Sequence, residues 1–200
     1  MCEFPKKGER LFISGSIYEQ ARIEDGNMPL FYNTVEAQFD RYTYGYKEAA
    51  DALIQRALEL GDNYTLDTYI YPICFLYRHY IEIALKNIYL SYSNDTEEEK
   101  TKTIKNHNLK RIWAKAKPVI IDYYPYEDRA VLDYVEDYIK QFDEADDRST
   151  TFRYPIDREL KPVHKAMSID LRNLKERMDE LDYFLSSAIQ GMSAMRESGP

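Results

Sequence analysis

YIYPICFLYRHYIEIALKNIYLSY, residues 69–92, decides how this chain folds. It is the most apolar run in a polar sequence. Ile73, Leu76, Tyr77, Tyr80, Ile81, Ala84, Leu85 and Ile88 recur at steps of three and four, the spacing of a helix with a wide buried face. Arg78, His79 and Glu82 interrupt that run. A buried charge costs several kcal/mol unless it is paired, so these three residues have either structural partners or a function. Pro72 suits the first turn, where its missing N–H costs nothing.

Outward from this helix the chain reads as all-α. Residues 34–60 step Val35, Phe39, Tyr42, Tyr46, Ala49, Ala50, Leu53, Ala57 and Leu60 around one face, with Asn33 or Thr34 as cap and Gly61 as the left-handed stop. GDNYTLDT reads as a linker, and SYSNDTEEEKTKTIKN as a charged connection with a helical turn. HNLKRIWAKAKPVI opens a short helix at His107–Asn108, facing Leu109, Ile112, Trp113 and Ala116 inward, with Pro118 ending or kinking it. YEDRAVLDYVEDYIKQFDEAD is amphipathic, with Val131, Tyr134, Val135, Tyr138, Ile139 and Phe142 facing inward. The last helix runs from a Ser168 cap through Leu171, Leu174, Met178, Leu181, Leu185 and Ile189 to Gly191. The expectation is five helices in one bundle (34–191), an irregular N-terminal arm (1–33) and a flexible tail (192–200).

Composition narrows the function. Hydrophobic residues make up 44% of 200 positions, enough for a core, and the 31% that are charged are mixed in sign. A net charge of −8 argues against bulk duplex binding, which needs a basic face to displace counterions. It leaves room for a small phosphate or RNA site. The nineteen tyrosines read as a core with phenols at its rim, some of them on a contact surface. No apolar run reaches membrane-spanning length and the first ten residues lack a signal-peptide core, so a cytoplasmic location is expected. Cys2 and Cys74 give neither a disulfide framework nor metal spacing, and Cys74 reads as a small buried hydrophobe. With three histidines and no phosphate-loop or dinucleotide motif, neither a metal nor another cofactor is expected.

Four groupings carry chemistry. Arg78 and Glu82 lie one turn apart and read equally as a buried ion pair or as a cleft wall, with His79 at its edge. His107 begins a helix, where it can cap, transfer a proton, or hold a phosphate oxygen beside free N–H groups. Arg153 in FRYP offers two-pronged recognition of phosphate or carboxylate, or pairs with Glu82 or Asp147. Arg158 and His164 have the arginine-to-histidine spacing of a metal-independent ribonuclease, with Pro162 between them.

FLYRHYIEIALK, HNLKRIW and FRYPID, in this order, resemble the HEPN-type helical bundles over residues 34–190. The resemblance implies an all-α bundle that often dimerises and is frequent in prokaryotic toxin–antitoxin and anti-phage systems. Many such domains cut RNA without metal through an Arg…His pair; others bind nucleotides or act as scaffolds. His107 matches the helix-start histidine, and Arg153, Tyr154 and Pro155 match the loop. With Arg78, His79 and Glu82 added on the burial argument and not on the resemblance, the expected site is His79, His107 and Arg153 as catalytic groups, with Arg78, Glu82, Asp147 and Tyr154 binding RNA or a nucleotide. A homodimer and a partner protein encoded nearby are also implied. The alternative is a non-catalytic dimeric scaffold whose polar residues hold the core together.

Overall fold

The computed structural model describes residues 35–125, 129–146, 149–156, 159–162 and 168–198. The chain divides into two units, Met1–Val35 and Glu36–Pro200, and the second carries the helical bundle. The arm expected over residues 1–33, the Asn33/Thr34 cap, Asp147, Arg158 and His164 lie outside the described residues.

Among the described residues there are six helices: α1 (Val35–Leu60), α2 (Asn63–Tyr92), α3 (Glu97–Ile104), α4 (Leu109–Tyr123), α5 (Arg129–Ala145) and α6 (Leu171–Ser198). The all-α class holds. The sixth helix is α3, which was expected as a connection with one turn. Thr96 caps it by accepting from Glu99 N, and Glu97, Glu98 and Glu99 lie in its first turn, where the helix dipole favours negative charge.

α2 is the spine, packing on α3, α4 and α6. It begins well before Tyr69, because Asp62 caps it: Oδ1 accepts from Thr65 N at 2.8 Å and Oδ2 from Thr65 Oγ1 at 2.7 Å. The supposed linker is therefore the first turns of the helix, and Pro72 lies inside it. Ile73, Tyr77, Ile81, Leu85 and Ile88 are fully buried along α2. Gly61, at φ +64°, closes α1 as expected, its N–H donating to Ala57 O.

Several faces and ends differ from the periodic reading. On α1 the buried positions are Lys47, Ala50, Ile54 and Ala57, whereas Val35, Tyr42 and Leu60 are exposed. The helix is turned so that Lys47 Nζ reaches Asp179 Oδ1 on α6 at 2.6 Å. On α5 the buried set is Leu132, Val135, Ile139 and Asp143, with Val131 and Tyr134 exposed. Asp143 turns inward because its carboxylate accepts from Leu109 N and Asn108 Nδ2 at the start of α4. α6 is capped by Asp170, which accepts from Arg172 N and Asn173 N. It continues through Gly191 to Ser198, so most of the expected tail is helical. α4 likewise continues past Pro118 to Tyr123, since burial of Val119 and Ile120 offsets the lost backbone bond.

Candidate functional site

The polar residues of α2 meet two other segments at one place. Arg78 is 1% exposed, and its guanidinium is distributed over protein acceptors. Nε donates to Asp146 O (3.2 Å) and lies 3.4 Å from Asp146 Oδ2; Nη1 donates to Glu82 Oε2 (3.0 Å) and Ser149 Oγ (2.8 Å); Nη2 donates to His107 O (2.6 Å). One side chain thus ties α2 to the turn before α4 and to the loop after α5. The expected Arg78–Glu82 ion pair is present and buried.

Glu82, 2% exposed, is the second hub. Its Oε1 accepts from Lys86 Nζ at 2.8 Å and contacts His107 Nδ1 at 2.8 Å. Burial alone would raise its pKa, but Lys86 and His107 outweigh that and hold the carboxyl below its usual range. Lys86 also donates to Ile104 O, so the C-terminal end of α3 joins the same assembly.

His107 differs from these two because its side chain is 61% exposed. It is not the cap of α4. That role belongs to Asn108, whose Oδ1 accepts from Arg111 N, while Asp143 Oδ1 takes Leu109 N. Two of the helix-end donors that a phosphate was expected to use, Leu109 N and Arg111 N, are taken by Asp143 and Asn108, and Asp143 places a carboxylate beside them. What His107 offers is an imidazole anchored at Nδ1 on a side chain that stays largely exposed.

The segment after α5 is shaped by Asp146, whose Oδ1 accepts from Thr150 N and Thr151 N. Ser149 adopts φ +57° there, which lets its hydroxyl reach Arg78 while its carbonyl receives Arg153 Nε. Arg153 and Tyr154 are exposed, with the guanidinium 5.8 Å from the Tyr154 ring centre, and Phe152 is buried as the anchor. An isolated bridge between Ile156 and Pro162 closes the segment on itself.

His79 stands apart from the hydrogen-bonded hub. Its ring is stacked on Phe75 (5.8 Å between centres, 8° between planes) and meets Tyr46 edge-on at 4.5 Å. Burial pushes its pKa below the usual value; the charge of Glu82 opposes this, and those of Lys86, Arg78 and Arg153 assist it.

Of the expected site residues, the structure brings Arg78, Glu82 and His107 into one network, with Arg153 and Tyr154 on the loop that Arg78 holds and His79 one turn away. Lys86, Asp146 and Ser149 were missed. Lys86 follows Glu82 by four residues, a spacing that favours a pair on a helix, but its burial shows only in three dimensions. Among the described residues no group of three or more His, Cys, Asp or Glu side chains is placed to hold a metal ion, and no helix is long and apolar enough to cross a membrane. Cys74 is buried, and its thiol is pushed up to about 12 by that burial, so it is unreactive at neutral pH.

No protein-family model matches the chain, and comparison with curated proteins and with solved structures finds no match either. The family expectation therefore rests on FLYRHYIEIALK, HNLKRIW and FRYPID.

Proposed function

We propose that this chain is a HEPN-like bundle that binds the phosphate of an RNA or a nucleotide at His107 and Arg153, in a bacterial defence or toxin–antitoxin setting. One observation carries the reading. The buried Glu82 carboxylate holds the Nδ1 side of an exposed imidazole at 2.8 Å. In neutral histidine that contact places the proton on Nδ1 and leaves Nε2 as a base facing solvent. Arg153, with one N–H spent on Ser149, keeps the outer edge of its guanidinium for phosphate oxygens. In RNA cleavage Nε2 would take the 2′-hydroxyl proton as O2′ bonds to phosphorus. The P–O5′ bond then breaks, the His107 imidazolium returns that proton to the leaving 5′-oxygen, and Arg153 offsets the charge on the phosphorane. No metal is needed. In this reading Arg78 and Glu82 position the other groups and do not touch ligand.

Incubation with tRNA and total RNA, beside His107→Asn and Arg153→Gln, tests this. Asparagine keeps a donor near the Nδ1 position and lacks Nε2, so His107→Asn should retain the melting temperature and lose about 10²-fold or more in cleavage rate. Absence of cleavage together with absence of any nucleotide-induced thermal shift removes the proposal.

A second reading is favoured by the full use of Arg78 within the protein: a non-catalytic dimeric scaffold in which the network only joins segments. It expects His107→Asn to have no binding phenotype. It also expects a concentration-dependent monomer–dimer equilibrium that surface tyrosine substitutions weaken, readable by sedimentation.

A further inference from the structure

His107 precedes the start of α4, and a cavity of about 290 Å³ lies at the other end of that helix, about 20 Å along its axis. The end of α4, the start of α5 and the middle of α6 enclose it. Ile120, Leu132 and Ala188 are buried in its wall, and Phe184 is half-buried there. Tyr124 fixes one side in advance. Its N–H donates to Ile120 O at the end of α4, and its phenol donates to Ala188 O on α6 at 3.1 Å. Arg129, Val131 and Ser187 also line the cavity and are exposed, so it opens to water past them.

An apolar cavity of ~150 Å³ accepts benzene, and small-molecule sites begin at ~300 Å³. The space here therefore suits one ring with a short chain. Its lining holds one charged group among the described residues, Arg129. Arg129 Nη2 makes a long bond, 3.4 Å to Pro125 O, and among the described residues no carboxylate lies within 4.0 Å of the guanidinium. Its donors are thus left for an oxygen pair, which a guanidinium takes in two-pronged fashion. With a net charge of −8 the chain has no general attraction for anions. An acid bound at this mouth would owe its affinity to the local guanidinium and to the apolar wall behind it.

We infer that the cavity between α4, α5 and α6 binds a small apolar carboxylate, with its ring or short chain against Ile120, Leu132 and Phe184 and its carboxylate on Arg129. This site shares no residue with the His107–Arg153 site and stands or falls without the phosphate-binding reading.

The test is an NMR titration of the ¹⁵N-labelled full chain with three probes: hydrocinnamate, its neutral amide, and propanoate, which lacks the ring. Wild type, Arg129→Gln, Ser187→Phe and Val131→Phe are compared. Hydrocinnamate should bind wild type with a Kd of about 1 mM or tighter and shift the amides of Ile120, Tyr124 and Ala188. The neutral amide and propanoate should each bind about tenfold more weakly. Arg129→Gln should weaken hydrocinnamate about tenfold and leave the neutral amide unchanged, since it removes the charge and spares the wall. Ser187→Phe and Val131→Phe each put a ring at the mouth, from α6 and from α5, and should abolish the shifts. Both positions are exposed, so melting temperature is the control, and either variant suffices if the other fails to fold. Absence of shifts with wild type up to ~10 mM hydrocinnamate overturns the site. So do shifts that survive the mouth-filling variants, because the probe then binds elsewhere. Equal affinity for the acid and its amide, unchanged in Arg129→Gln, overturns the carboxylate assignment.

Discussion

At the scale of the residue, Arg78 and His107 divide the work that their adjacency to Glu82 makes common. Arg78 is sealed, and removing its charge strips the buried Asp146 carboxylate of its ion-pair partner and the His107 carbonyl of its donor, while Glu82 keeps Lys86 and His107 on Oε1. Arg78→Met should cost roughly 3–5 kcal/mol, read as a shifted urea midpoint, because a broken buried pair leaves an uncompensated charge. Arg78→Lys should recover little of this, since an ammonium cannot reach acceptors on three segments at once. Glu82 makes the network sensitive to acid. Its carboxyl lies below the usual 4.5 in the folded chain. The stability it supplies is therefore complete above about that value and is lost as pH falls through the lower folded value. Glu82→Gln should flatten the fall of melting temperature with pH in that acid window and leave the neutral limb shallow. The pair of Arg78 with Glu82 was legible from their spacing and from the cost of burying either alone. The part played by Asp146 and Ser149 was not, because they stand about 70 positions away along the chain.

At the scale of the element, tyrosine explains how polar helices lock together. Tyr77 donates to Asp51, Tyr80 to Asp182 at 2.7 Å, Tyr89 to Asp95 and Tyr138 to Glu180 at 2.8 Å. The rings of Tyr77, Tyr80 and Tyr89 are buried and that of Tyr138 half-buried, and each phenol hands a hydrogen bond to a carboxylate on a neighbouring segment, a use that leucine cannot supply. Three of these pairs join different helices, and Tyr89–Asp95 secures the turn after α2. α6 shows the closest approach. Tyr124 Oη donates to Ala188 O at 3.1 Å, and a Cβ on Gly191 would lie 2.1 Å from that same phenol oxygen. Helix propensity alone would make Gly191→Ala stabilising by about 1 kcal/mol. Displacing the Tyr124 ring costs about 1–3 kcal/mol, so the net change should be a loss, visible as a drop of about 3 °C in melting temperature. In a Tyr124→Phe background the same substitution should cost less, and the four proteins form a double-mutant cycle that isolates the contact.

At the scale of the whole molecule, polar clamps attach α1 to α6 through Lys47 and to the spine through Asp51 and Tyr77, and the loop after α5 to the spine through Arg78. Lys47, 7% exposed, bonds Asp51 at 2.7 Å and Asp179 at 2.6 Å, joining α1 to α6. Burial opposes its charge, and the two aspartates outweigh that and hold its pKa above the usual value. Lys175 supports the same aspartates from the exposed side. Lys47→Met should destabilise by about 1–3 kcal/mol, less than at Arg78 because Asp179 is half open to water. Hydrogen exchange should then show α1 amides opening before those of α2, whose apolar face stays packed on α4 and α6. Equal exchange of both helices would place the clamp within the global unfolding unit instead.

By itself the sequence determined that this is a helical protein with α2 at its centre, since apolar steps of three and four are a property of the chain and need no partner to be read. Gly61 as a stop and the inward face of α4 were legible for the same reason. Tertiary structure decided the rotation of α1 and α5, where Lys47 and Asp143 turn inward to acids and N–H groups on other helices, against the simple hydrophobic stripe. It also decided the division of the candidate site. Periodicity placed Arg78 and His79 side by side and His107 far along the chain. Packing buries Arg78 among protein acceptors, sets His79 between aromatic rings, and brings His107 to Glu82 with its side chain still exposed. Burial is a property of the assembled helices, and it is burial that separates a residue holding the fold from one free to meet a ligand.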